Sequence, residues 1–191
     1  GRELWALDIT ADLEIPCIMA LSRMTDGEAE RIVFGLGCHL EPRIAVQRAL
    51  AEMNQMLGIT NADSGKDDQG IDDEETSRWL KTATVEKQPY LQPDATRPLR
   101  RLEDFPLLHS GDLLQDIDYC RGCVEAQGLE MLVLDQTRPL IGIPAVKVVV
   151  PGLRHFWARH AAGRLFDVPV RMGWLERPLE ENELNPIPIF F

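Results

Sequence analysis

The sequence is poor in everything from which membrane-spanning and secreted proteins are built. No apolar run comes near the roughly 20 residues that a membrane helix requires, and the N-terminus lacks the basic-then-apolar order of a secretion signal. A cytoplasmic protein with no membrane partner is therefore expected. Cysteine is scarce, with 4 in 191 residues. Cys120-x2-Cys123 has no second pair to complete a zinc site and Cys17 lies in an apolar run, so buried free thiols are expected rather than a metal centre. Positive charge is short as well: 20 Lys and Arg stand against 31 Asp and Glu, a net charge of -11. That balance argues against nucleic acid as a partner, although it leaves room for a local basic pocket.

What remains is ordinary for a globular domain, with 45% hydrophobic and 27% charged residues and enough length for one sizeable core. The acidity is concentrated. The stretch from Asn61 to Thr76 carries a net charge of -6 and too few apolar side chains to bury, which predicts a mobile acidic loop over 61–76. The chain opens on Gly1 within a strand lead-in, which suggests a truncated or processed chain.

Two stretches echo one another. Leu7-Asp-Ile-Thr10 is followed by Ile15-Pro16 and an apolar run, and Leu134-Asp-Gln-Thr137 by Ile143-Pro144 and another. The pattern predicts two equivalent hairpins: Leu4–Leu7 with Ile15–Leu21, and Met131–Leu134 with Ala145–Val150. Arg31–Phe34 reads as a further short segment broken by Gly35-Leu36-Gly37. A helix is expected over Arg43–Leu57, opened by Pro42 and closed by Gly58, with Val46, Leu50, Met53 and Leu57 as its buried stripe. A second helix, capped within Ser110-Gly111-Asp112 and ending near Gly128, would bury Leu113, Leu114, Ile117, Cys120 and Val124. Leu153–Ala162 reads as a helix and Val168–Met172 as a last short strand. The fold class is thus α/β (α+β): a layered sandwich of largely antiparallel sheet and helices, with an internal duplication as the reading of the repeated motif.

On the first helix, Arg48, Glu52 and Gln55 recur at i, i+4 and i+7 on a side away from the apolar stripe. The plain reading is a solvated face with an Arg48–Glu52 pair contributing about 0.3 kcal/mol.

Several stretches together resemble the C-terminal half of the YcaO family, in particular its azoline-forming cyclodehydratases. They are LDITADLEIPCIMA, GLGCHLEPRIAVQRALAEMNQ, QPYLQP, VLDQTRPLIGIPAVKVVVPGLRHFW, GRLFDVPV and LNPIPIFF, in family order along almost the whole chain. The resemblance implies an ATP- and Mg2+-dependent reaction. A Cys, Ser or Thr side chain of a ribosomally made precursor peptide attacks the preceding backbone carbonyl, ATP phosphorylates the resulting oxyanion, and loss of phosphate leaves a thiazoline or oxazoline. Phosphorylation makes a leaving group of an amide oxygen, and Mg2+ with basic groups offsets the charge. It also implies bacteriocin-type or thiazole/oxazole-modified microcin biosynthesis, a leader-binding partner of E1-like type, a flavin-dependent dehydrogenase as a further partner, and a homo-oligomer.

By the same resemblance Glu52 and Gln55 would hold Mg2+ and nucleotide, and Lys147 would reach phosphate, its alternative being a solvent-facing strand lysine. Pro186 and Pro188 would order the active site as part of a terminal Pro-x-Pro-x-Pro element, whose third proline is Phe190 here. Met56 stands where relatives often carry Arg, and Gly35 and Gly37 lie where they often carry Ser, departures expected to weaken phosphate binding. The family's Ser-x3-Glu-x2-Glu-Arg element belongs upstream of Leu7, and residues 1–191 do not contain it. The expectation is the C-terminal portion of a YcaO domain, inactive alone. The competing reading is a non-catalytic docking or scaffold protein of the same fold.

Overall fold

The computed structural model describes residues 1–61, 74–154 and 162–186. They form two compact units, the first built from described residues of Gly1–Thr10 and Ile15–His109, the second from Ala11–Glu14 and described residues of 110–186. In the first, β1 (Arg2–Asp8), β2 (Cys17–Met24) and β3 (Val33–Cys38) form an antiparallel sheet in that order, followed by α1 (Pro42–Asn61) and α2 (Glu74–Thr82). The second contains α3 (Leu113–Ala126), the antiparallel ribbon of β4 (Leu132–Asp135) and β5 (Val146–Val149), and α4 (Arg164–Arg171).

The repeated motif closes both hairpins in the same way, hydrogen bond by hydrogen bond. In the first, Asp8 Oδ1 accepts from the Thr10 N–H at 3.0 Å, Thr10 Oγ1 accepts from the Cys17 N–H at 3.1 Å, and the Ile9 N–H donates to the Cys17 carbonyl at 2.9 Å. In the second the same bonds join Asp135 to Thr137 at 2.8 Å, Thr137 to Ala145 at 3.1 Å, and Gln136 to Ala145 at 2.8 Å. Each Asp-x-Thr uses a short side chain to satisfy backbone groups that the turn takes out of the ladder. The Thr137 hydroxyl and N–H hold the Asp135 carboxyl below its ordinary range.

Gly35 and Gly37 do not break β3; they lie inside it, paired with Ala20 and Ile18. Both face α1. A Cβ on Gly35 would overlap the backbone of Ala49 and Met53, and one on Gly37 the backbone of Ala45 and Ala49. Ala45, Ala49 and Met53 are accordingly buried on α1, with Val46, Leu50, Met56 and Leu57 only partly covered. The expected stripe is thus rotated toward the two alanines, because the closest approach is backbone to backbone. The helix also continues through Gly58 to Asn61. On the other side of the sheet Phe34 meets Trp79 of α2 edge-on at 6.4 Å, and the Trp79 Nε1–H donates to the Ile32 carbonyl at 3.0 Å. Glu74–Thr76, read from sequence as loop, therefore open a helix with Thr76 buried; 62–73 lie outside the described residues.

In the second unit, Asp112 caps α3 through the Leu114 N–H at 2.8 Å and Gly128 follows its end at φ 72°. Of the expected buried side, only Val124 is buried; Leu113, Leu114 and Ile117 are exposed. Val168–Met172 is not a strand: Val168–Arg171 belong to α4 and Met172 caps it. A helix sets Arg164 and Arg171, seven residues apart, on one side. Both reach the Asp12 carboxylate, at 2.5 and 3.0 Å, and Gln127 Nε2 donates to the Asp12 carbonyl at 3.1 Å. An odd separation on a strand would have split the two arginines between opposite faces. The expected helix over Leu153–Ala162 falls largely on 155–161, outside the described residues. Among the described residues no helix is long and apolar enough to cross a membrane.

Gly35→Ala and Gly37→Ala should each lower stability by about 1–3 kcal/mol through overpacking. Gly122→Ala, in a helix where an added Cβ meets nothing within 4 Å, should raise it by about 0.5–1 kcal/mol. Urea-unfolding midpoints of the three variants check both signs. Asp12→Ala, which strands Arg164 and Arg171, should cost about 3 kcal/mol in the same measurement.

Candidate functional site

The polar side of α1 is exposed at Arg48 and Gln55, as a solvated face would be, but Arg48 and Glu52 bond to β3. In the sheet order β3 is an edge strand, and residues not hydrogen-bonded to β2 turn both their N–H and C=O outward. The His39 N–H donates to the Pro16 carbonyl at 3.1 Å, which identifies Cys17 and Cys38 as a non-hydrogen-bonded pair, and with them Met19 and Leu36 two residues along. Two of these outward groups are met from α1. Glu52 Oε2 accepts from the Leu36 N–H, and Arg48 Nη1 donates to the Cys38 carbonyl at 3.2 Å. An acceptor and a donor one helical turn apart thus clasp a donor and an acceptor two strand residues apart. The glycines make this possible by bringing α1 near enough for the Glu52 side chain to reach.

Glu52 is partly buried, and its Oε2 is engaged with Leu36; Gln55, three residues on, is exposed. Mg2+ commonly takes one or two carboxylates and fills its octahedron with phosphate oxygens and water. A carboxylate held rigidly by one oxygen, with an exposed amide beside it on the helix, fits that partial role. Among the described residues no group of three or more His, Cys, Asp or Glu gathers into an all-protein cation cage. Met56 is partly buried against the hydrophobic core, a position for an apolar side chain. The glycines at 35 and 37 likewise answer to helix–sheet packing, a reason that the sequence reading of them as lost phosphate contacts missed.

Lys147 is exposed on β5 opposite Leu134, and Pro186 is exposed. Pro188 lies outside the described residues. Cys17 and Cys38 were expected to be buried free thiols; both are free, but Cys38 is exposed, and the two are cross-strand partners. The signal for that pairing was the register of β2 on β3, which no spacing of two cysteines in sequence reveals.

The family model for YcaO cyclodehydratase, described as ATP- and Mg2+-binding, matches residues 1–154. The chain belongs to the YcaO family. The whole of it is similar to the structure of the heterocyclase TruD, with a TM-score of 0.87 and 45% identity over 25% of that chain. It is similar also to a heterocyclase in complex with substrate and cofactor, with a TM-score of 0.91 and 46% identity over 25% of that chain. YcaO from Methanopyrus kandleri, solved with AMPPCP and Mg2+, is 24% identical over 80% of this chain and 39% of its own, with a TM-score of 0.52, and shares the fold. This YcaO chain spans a quarter of the heterocyclase chains and 37–40% of the curated relatives that it matches.

Because Glu52 has a structural duty, its charge and its hydrogen bond are separable. Glu52→Ala leaves the Leu36 N–H without its partner and should cost about 1–3 kcal/mol. Glu52→Gln, which keeps a carbonyl acceptor, should cost less than half of that, again by urea unfolding.

Proposed function

We propose that this chain is the C-terminal portion of an ATP-dependent azoline-forming cyclodehydratase that acts on a ribosomally synthesised precursor peptide. The observation that carries the reading is its similarity, along the full chain, to a heterocyclase solved with substrate and cofactor, at 46% identity. The β4–β5 ribbon supports a longer chain. Leu132, Val133, Leu134, Val146, Val148 and Val149 are all exposed, on both faces, and an isolated two-stranded ribbon is marginal in water. Apolar residues on both faces of a strand are the pattern of one that other elements cover.

In this reading Glu52 and Gln55 hold Mg2+ and nucleotide. When bound, Mg-ATP supplies the phosphoryl group that turns the amide oxygen into a leaving group. Glu52 contributes a carboxylate whose direction is set by the Leu36 N–H, so that little side-chain freedom is lost on binding. Lys147 offers a point charge to a phosphate, without the two-pronged geometry of arginine. Pro186 and Pro188 would help to order the active site, since proline limits the conformations that a chain must give up to do so. The precursor peptide is held with the help of an E1-like leader-binding protein; a flavin-dependent dehydrogenase and a second copy of the chain complete the set of partners. The scaffold reading keeps one observation in its favour: the bond to Leu36 accounts for Glu52 without any nucleotide.

Glu52→Gln decides between them, since it preserves the clasp and removes the charge. In the full-length protein it should weaken Mg-ATP binding at least about tenfold, or about 1.4 kcal/mol, by calorimetry. It should also suppress the loss of water from a precursor peptide in a mass-spectrometric assay. Unchanged affinity in a folded variant would leave the scaffold role standing.

A further inference from the structure

The hydrogen bond that identifies Cys17 and Cys38 as a non-hydrogen-bonded antiparallel pair also fixes their geometry. Such partners have Cα atoms about 4.5 Å apart and side chains on the same face. That spacing lies within the roughly 4.4–6.8 Å that disulfides span. The two thiols also act on each other's pKa, Cys38 raising that of Cys17 and Cys17 lowering that of Cys38. Neither is placed loosely. The Cys17 N–H and C=O are tied to Thr10 Oγ1 and the Ile9 N–H by the Asp-x-Thr turn, and the Cys38 carbonyl is gripped by Arg48. In the second hairpin Ala145 stands where the first has Cys17, with the same turn around it, so the turn does not require a thiol.

The two cysteines differ in kind. Cys38 is exposed at the end of the edge strand, whereas Cys17 is partly covered. Cys17 on β2 and the positive charge of Arg48 on α1 draw the Cys38 thiol down to about 7. The hydrogen bond to Cys38, burial and the nearby Asp8 carboxylate push Cys17 well up. One thiol is accessible and ready to ionise; the other waits beside it as the resolving partner.

We propose that Cys17 and Cys38 form a redox-modifiable dithiol that reacts with small-molecule disulfides to close a cross-strand disulfide between β2 and β3. The Cys38 thiolate attacks one sulfur of a disulfide RS–SR, forming a mixed disulfide and releasing RS⁻. Cys17, giving up its proton to solvent, then attacks the Cys38 sulfur and releases the second RS⁻. Two electrons pass from the protein to RS–SR, one disulfide bond is exchanged for another, and no further oxidant is needed. The inference does not depend on whether the chain transfers phosphoryl groups.

Oxidised glutathione is the probe. The folded chain is incubated with it at neutral pH, quenched in acid, alkylated, and mapped as peptides by mass spectrometry. The expected product is a linked Cys17–Cys38 peptide, with an intact mass lower by two hydrogens and reversal by a reducing agent. Cys17→Ser should stop the reaction at a glutathione adduct on Cys38, and Cys38→Ser should leave Cys17 unmodified over the same time. Recovery of wild-type Cys17 and Cys38 as unmodified thiols, or as two separate adducts, overturns the proposal. The wild-type map reads this directly, whatever the stability of the variants.

Discussion

The close approach of α1 to β3 is the constraint on which the first unit depends. Two glycines on one face of a strand and two alanines on the facing side of a helix let backbone meet backbone, so that no side chain stands between them. At that distance a glutamate and an arginine one turn apart reach around to the strand's outer edge. An ordinary helix–sheet separation, set by leucines and valines, would hold both side chains away from the edge. It would leave the N–H and C=O groups of Leu36 and Cys38 exposed as a template for another strand.

The same arrangement links packing to chemistry. A carboxylate in the role proposed for Glu52 is most useful when its rotamer is fixed before a ligand arrives, and here a backbone N–H does the fixing. Arg48 plays two parts, closing the strand edge and placing positive charge near the Cys38 thiol. The Asp-x-Thr turn similarly does more than reverse the chain. Between Thr10 and Ile15 it sends Ala11–Glu14 into the second unit, where Asp12 is held by Arg164 and Arg171. The equivalent turn at Asp135–Ala145 leaves Leu140, Ile141 and Ile143 exposed. Two turns of one design thus serve different ends, because what their tips meet differs.

The expectations drawn from sequence divide along a physical line. The turns of the two hairpins, the cap at Asp112 and the close of α3 at Gly128 rest on bonds between residues fewer than about a dozen positions apart, where residue type nearly dictates the conformation. The buried side of α3 failed because amphipathic spacing says which residues could be buried together and not whether anything covers them. The strand assigned to Val168–Met172 failed because β-branched residues around a proline read as extended. Asp12, more than 150 residues earlier, supplies the partner for which a helix is needed.

By itself, then, the sequence settled the family, the α/β class and the paired hairpins, since these are written in order, spacing and short-range hydrogen bonding. Only the tertiary structure decided that Gly35 and Gly37 are contact surfaces rather than breaks, that Glu52 grips Leu36, and that Cys17 faces Cys38. Each of these depends on strand register and on the distance between a helix and a sheet. Those quantities are set by the sum of many contacts made far apart along the chain, and no local window contains them.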